Sequence, residues 1–188
     1  MRLQPPDPTS MSEKQTEVYQ AIASGPRGRV RGPLAVWLHR PELAEAAQAL
    51  GSYCRYSSSL EPHLSELAIL TTAQIWQSEF EWWAHKPPAI KSGLSLDVIE
   101  ALRRGEKPDF DDPMAGAVFE VVRELNATRA LGDQLYERAL SILGRDRLVD
   151  LIGLCGYYTL ISMTINAFDI GLPAGETNEL TERHRPTE

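Results

Sequence analysis

The chain is predicted to fold as an all-α bundle, and three observations carry that reading. Apolar residues recur at the i, i+3, i+4, i+7 spacing of a helix over most of its length. No alternating strand pattern of useful length appears. The helical stretches are punctuated by Ser, Pro and Gly at positions where helices start and stop. With 188 residues and 43% hydrophobic content, one core is expected rather than two.

Residues 1–10, MRLQPPDPTS, hold three prolines and little to bury, and are expected to form a disordered lead-in. Structure should begin near Ser10, where Ser10 with Glu13 and Ser12 with Gln15 both have the spacing of a capping box. The short helix they open should end at Ser24-Gly25-Pro26. PRGRVRGP, residues 26–33, places Arg27, Arg29 and Arg31 in a loop, the one basic cluster of an acidic chain. It could hold an anion, or be a solvated or intersubunit arginine loop.

From Pro41, a favourable first helical residue, Leu43, Ala46, Ala47, Leu50 and Cys54 follow the helical period until serines 57–59 break it. The run from Glu61-Pro62 through ELAILTTAQIWQ is apolar on nearly every face and is predicted to be the central helix. SEFEWWAHKPPAIKSG follows, expected to be interrupted at Pro87 and Pro88 and closed by Gly93, before a short helix from Ser95. Residues 108–113 read as a loop between two helical halves. Three more helical periods follow, over Met114–Leu125, Leu135–Leu143 and Leu148–Phe168. The last, with GLCGYYTLISMTINAF, needs cover on several sides, which favours a core position or a subunit interface and therefore a homo-oligomer. The domain is read as residues 11–173, with a frayed polar tail over 174–188.

The formal charge of −7 supplies no broad basic face, so nucleic acid and anionic membrane are not expected partners. No stretch is read as approaching the roughly 18 uncharged apolar residues of a membrane span. The N-terminus has Pro and Asp where a signal peptide is apolar, so a cytoplasmic protein is expected. Cys54 and Cys155 are far apart, form no C-x-x-C and have no zinc-type spacing, so no metal site is expected. Both are read as packing residues.

One constellation carries chemistry. Ser78, Glu81 and His85 lie at i, i+3 and i+7, on one helical face. Glu81 and His85, at i and i+4, can hydrogen-bond, and a carboxylate beside an imidazole orients it and raises its pKa. Glu66 sits in an apolar helix, where an ionised carboxylate needs a partner. His85 can be that partner if the chain bends between Trp76 and Glu81. Otherwise Glu66 faces solvent or an arginine of a neighbouring subunit. Of Trp82 and Trp83, about 100° apart on a helix, at most one faces the site.

This spacing resembles a known motif. Alkylhydroperoxidase-D-like proteins carry Glu, eleven residues, Cys, two residues, Cys, three residues, His; here the same positions are Glu66, Ser78, Glu81 and His85. Both cysteines are replaced. GPRGRVRGPLAVWLHRPELAEAAQALGSYCRY, SELAILTTAQIW, EFEWWAHKPPAIKSGLS and GYYTLISMTINAF also resemble the carboxymuconolactone decarboxylase group, so the likeness spans roughly residues 12–173. It implies an alkylhydroperoxidase-D-like helical bundle, assembled as a homotrimer or homohexamer. It also implies a cofactor-independent lyase or isomerase on a small carboxylated lactone or organic acid. In that reading His85, Glu81 and Glu66 handle the proton, while Ser78, Trp82, Arg27 and Arg29 bind substrate, an arginine holding its carboxylate bidentately. The thiolate cycle of the peroxidase members does not carry over to Ser78 and Glu81. A peroxidase using Cys54 or Cys155, and a non-catalytic helical oligomer, are the alternatives.

Overall fold

Eight helices and no strand make up the described residues, 1–180, of the computed structural model. They are α1 (Glu13–Ser24), α2 (Pro33–Trp37), α3 (Pro41–Tyr56), α4 (Pro62–Ile75), α5 (Glu79–Lys91), α6 (Leu96–Arg103), α7 (Pro113–Thr128) and α8 (Asp133–Phe168). Every residue of α4 from Leu64 to Ala73 is buried, and α5, α6, α7 and α8 supply the cover that a helix apolar on all faces requires. The fold is thus all-α, as its periodicity predicts.

Local chemistry sets the boundaries. Ser12 and Gln15 form the reciprocal capping box that starts α1. Asp112 accepts from the Met114 N–H at the start of α7, with Pro113 in the first helical position. At the end of α5, Gly93 takes a left-handed φ of 103°, and the Gly93 and Leu94 N–H groups donate to Ile90 and Ala89 O.

Between α4 and α5 the chain reverses in three residues. Gln77 adopts φ 49°, the Ser78 N–H donates to Ala73 O at 2.8 Å, and Asn166 Nδ2 donates to Trp76 O at 2.7 Å from α8. The reversal lays α5 back along α4. The condition for Glu66 to reach His85 is met.

Several expectations are corrected. Pro87 and Pro88 do not end α5, which continues to Lys91. Their absent N–H groups leave the carbonyls of Trp83 and Ala84 without the usual donor. Pro87 is exposed and Pro88 half-buried, so water can reach that turn. The last two helical periods stand as expected: Gly144 (φ 76°, ψ 167°) kinks α8 and separates one helical segment before it from a second that runs to Phe168. α8 is also long and apolar enough, by composition, to cross a membrane. In the fold it is a core helix, with 56% of its most apolar 18-residue window buried.

Nor are the ends as expected. The Arg2 N–H donates to Phe168 O at 2.7 Å, Leu3 packs on the core, and the Gln4 carbonyl bonds His39 Nε2 at 2.7 Å. The lead-in is tied down because backbone pairing and one leucine compensate for its sparse apolar content. Residues 174–180 turn back onto α5 and α6, where Leu180 is buried. The rest of the expected frayed tail, residues 181–188, lies outside the described residues.

Candidate active site

The α4–α5 reversal sets Glu66 behind the imidazole of His85. Glu66 Oε2 is 2.6 Å from His85 Nδ1, and Glu81 Oε1, one turn before it on α5, is 2.9 Å from Nε2. All three side chains are almost wholly buried. An imidazole can donate to a carboxylate from both nitrogens only as the imidazolium. Burial alone would lower the His85 pKa, but the charges of Glu66 and Glu81 and their hydrogen bonds outweigh it and hold it above 6.5. From α8, Tyr158 meets the ring edge-on at 5.2 Å between centroids, its Oη 3.5 Å from Nε2.

His85 and Glu81 open onto a cavity of about 550 Å³; Glu66 is not part of its lining. The two glutamates therefore differ in position: Glu81 faces the cavity, and Glu66 buttresses the ring from behind. The lining also carries Arg27, Arg29, Arg31 and Arg55. Arg27 bonds Gln48 and the Tyr157 hydroxyl, each at 3.3 Å. Arg31 lies 4.7 Å over the Trp83 ring and 5.9 Å over Phe80. Burial and the like charge of Arg29 lower the Arg31 pKa, with Glu81 opposing. Burial acts to lower the Arg55 pKa too, but Tyr158, Tyr56, Glu66 and Glu81 together raise it. Among the described residues, none of the four arginines forms a salt bridge. Burial pushes the Tyr157 phenol up to about 12 and raises that of Tyr158 well above the usual phenol range, so both remain hydrogen-bond donors.

Two expected site residues are elsewhere. Ser78 precedes α5 and is fully buried, with its Oγ unpartnered among the described residues and no share in the cavity lining. It lies less than one turn before Glu81 and is enclosed in the interhelical core short of the opening. Trp82 is buried on another side of α5, its indole N–H donating to Glu179 at 3.2 Å. Trp83 is the tryptophan that lines the cavity.

Sequence reasoning missed Arg55, Tyr157, Tyr158 and Glu176, and gave Arg31 no substrate role. Arg55 follows Cys54 at the end of α3, and the tyrosines lie within an apolar run, so neither stood apart from core-helix text. Cys54 and Cys155 are both buried, and burial pushes their thiols up, Cys155 to about 12. Neither has the depressed pKa of a reactive thiol.

The helical bundle thus holds a cavity lined by His85, Glu81 and four arginines, with Glu66 behind the imidazole. Residues 41–124 match the carboxymuconolactone decarboxylase family. The structure aligns with the AhpD core of an uncharacterized peroxidase-related protein from Ralstonia eutropha JMP134 at TM-score 0.74 and 14% identity, covering 92% of each chain. It aligns with a protein of unknown function from Agrobacterium tumefaciens, proposed to be the antioxidant defence protein AhpD, at TM-score 0.67 and 20% identity, covering 77% of this chain and 99% of that one. A third match is a single-substitution variant of the debrominase Bmp8 in complex with 2,3,4-tribromopyrrole, at TM-score 0.74 and 10% identity, covering 93% of this chain and 92% of that one. No curated protein matches the sequence. The family match thus covers residues 41–124, the fold is the one these AhpD-like structures share, and the chain has no C-x-x-C pair.

Proposed function

We propose that the protein is a cofactor-independent lyase or isomerase that moves a proton on a small carboxylated lactone or organic acid. One observation carries this reading: an imidazole is clamped between two carboxylates at 2.6 and 2.9 Å and opens onto an arginine-lined cavity of about 550 Å³. Loss of carbon dioxide breaks the bond to the carboxylate carbon, and the electron pair moves into the conjugated carbonyl as a dienolate. That intermediate needs one proton on carbon. His85 and Glu81 form the pair that delivers it, Glu81 from the cavity wall and His85 as its source, and solvent restores it. Glu66 is a positioning residue, accepting from Nδ1 and stabilising the imidazolium. In an isomerisation the same pair removes a proton and returns it at another carbon.

Arg27 and Arg29 are suited to hold the substrate carboxylate bidentately. The tribromopyrrole complex of a debrominase with this fold supports the idea that the bundle can house a small flat heterocycle. The high thiol pKa values weigh against the peroxidase alternative. The test is to incubate the protein with a panel of carboxylated five-membered lactones in D₂O and follow carbon dioxide release and carbon-bound deuterium. A turned-over substrate should lose about 10²- to 10⁴-fold in rate with His85→Ala and with Glu81→Gln. Unchanged turnover in both variants refutes the proposal.

A further inference from the structure

Beyond α8 the chain has two fixed ends and an exposed middle. Ile170 is buried, and its N–H donates to Ile165 O at 2.9 Å. Ten residues on, the Glu179 and Leu180 N–H groups donate to the Glu79 carboxylate at 3.1 and 2.6 Å. The Glu179 side chain accepts from Trp82 and Lys86, and Arg103 Nη1 donates to Glu179 O at 3.1 Å. Between these anchors, residues 173–178 are exposed, and Gly175 turns the chain with φ 91°. Glu176, in this middle portion, reaches the cavity. It and Glu81 are the carboxylates of the lining, and Glu176 forms no salt bridge among the described residues.

We infer that residues 171–180 form a strap along the edge of the cavity, and that Glu176 is its selectivity residue. A negative charge at the edge of an arginine-lined cavity lowers the local potential that draws anions in. Stray anions are disfavoured. A ligand is admitted when its own anionic group engages the arginines well enough to offset repulsion by Glu176. The anchors on α5 and α6 keep the carboxylate in place. The inference concerns access alone and does not depend on the proposed chemistry.

Trp83 reports on it, because it lies within the cavity beneath Arg31. Its fluorescence contribution is the difference between each protein and the same protein carrying Trp83→Phe. Quenching is measured with iodide, an anion, and with acrylamide, which is neutral. Glu176→Gln, at an exposed position, should raise iodide quenching of Trp83 about threefold at low salt, the effect of one charge at short range through water. It should leave acrylamide quenching unchanged. The double variant Glu79→Ala/Leu180→Ala, which cuts the anchors, should raise quenching by both agents, with circular dichroism confirming that the bundle is intact. Unchanged iodide quenching in Glu176→Gln overturns the selectivity role, and unchanged acrylamide quenching in the intact double variant overturns the strap. If the double variant unfolds, Glu176→Gln decides alone.

Discussion

At the scale of single residues, the site depends on how many charges surround one ring. His85 meets Glu66 from α4, Glu81 from its own helix, Tyr158 from α8, and the guanidinium of Arg55 from α3 across the same cavity. The two carboxylates overcome burial and hold the imidazolium above 6.5. A raised folded-state pKa means that this cluster contributes its full stability below about pH 6.5 and loses it as pH rises through the folded value. Glu66→Gln keeps the shape and removes one charge. The His85 midpoint, followed by NMR, is expected to fall, because one of the two charges that raise it is gone. In urea denaturation the loss of stability should move to lower pH with it. An unmoved midpoint would mean that Glu66 does not hold the ring as an anion. The thiols give a second check at this scale. With Cys155 pushed up to about 12 and Cys54 also raised, alkylation by iodoacetamide at neutral pH should be slow in the native protein and fast once it is unfolded.

At the scale of helices, the cavity wall depends on how closely α3 approaches α8. Gly51 is buried in α3, and a Cβ there would lie 2.2 Å from Tyr157 Oη and 2.6 Å from Arg27 Nη2. Gly51→Ala is therefore expected to displace the Arg27–Tyr157 pair and cost about 1–3 kcal/mol, measured by denaturant unfolding. Neutral stability would show that the two side chains move aside freely. Such contacts mark the boundary of what the sequence revealed. The helical period, the central place of α4 and the Ser12–Gln15 cap were legible because each is written within a few neighbouring residues. The i, i+4 pairing of Glu81 with His85 was legible for the same reason. The Glu66–His85 contact was legible only as a condition, because it needs the reversal at Gln77, which Asn166 stabilises from α8. Ser78 was misplaced because helical spacing gives a face but not how far the opening extends along it, and Trp82 because the spacing did not say which of two adjacent tryptophans turns toward the cavity. Arg55 went unnoticed because only tertiary packing separates it from any other helix-terminal arginine.

At the scale of the whole molecule, one surface is left apolar. Val149, Ile152, Leu160 and Met163 follow a helical stripe on α8 and are exposed, Val149 at 66%. Gly153 and Gly156 on the same stripe are exposed and have open space before them. α3, which packs beside α8, adds exposed Leu43, Leu50 and Tyr53. A contiguous apolar patch of this kind is the usual mark of a protein interface. We propose that copies of the chain cover it in the homotrimer or homohexamer that the family resemblance implies. Light scattering should then give a multiple of 21.0 kDa for the wild type. Ile152→Asp/Met163→Asp, which buries two unpaired charges in any such contact, should give the monomer mass. A monomeric wild type would refute the assembly. The consequence reaches the site, because Tyr56, which lines the cavity, is itself 46% exposed at the end of α3. If a neighbouring subunit covers that edge, the monomeric double variant should show greater acrylamide quenching of Trp83 than the wild type. Equal quenching would mean that each subunit encloses its cavity unaided, and that assembly serves stability alone.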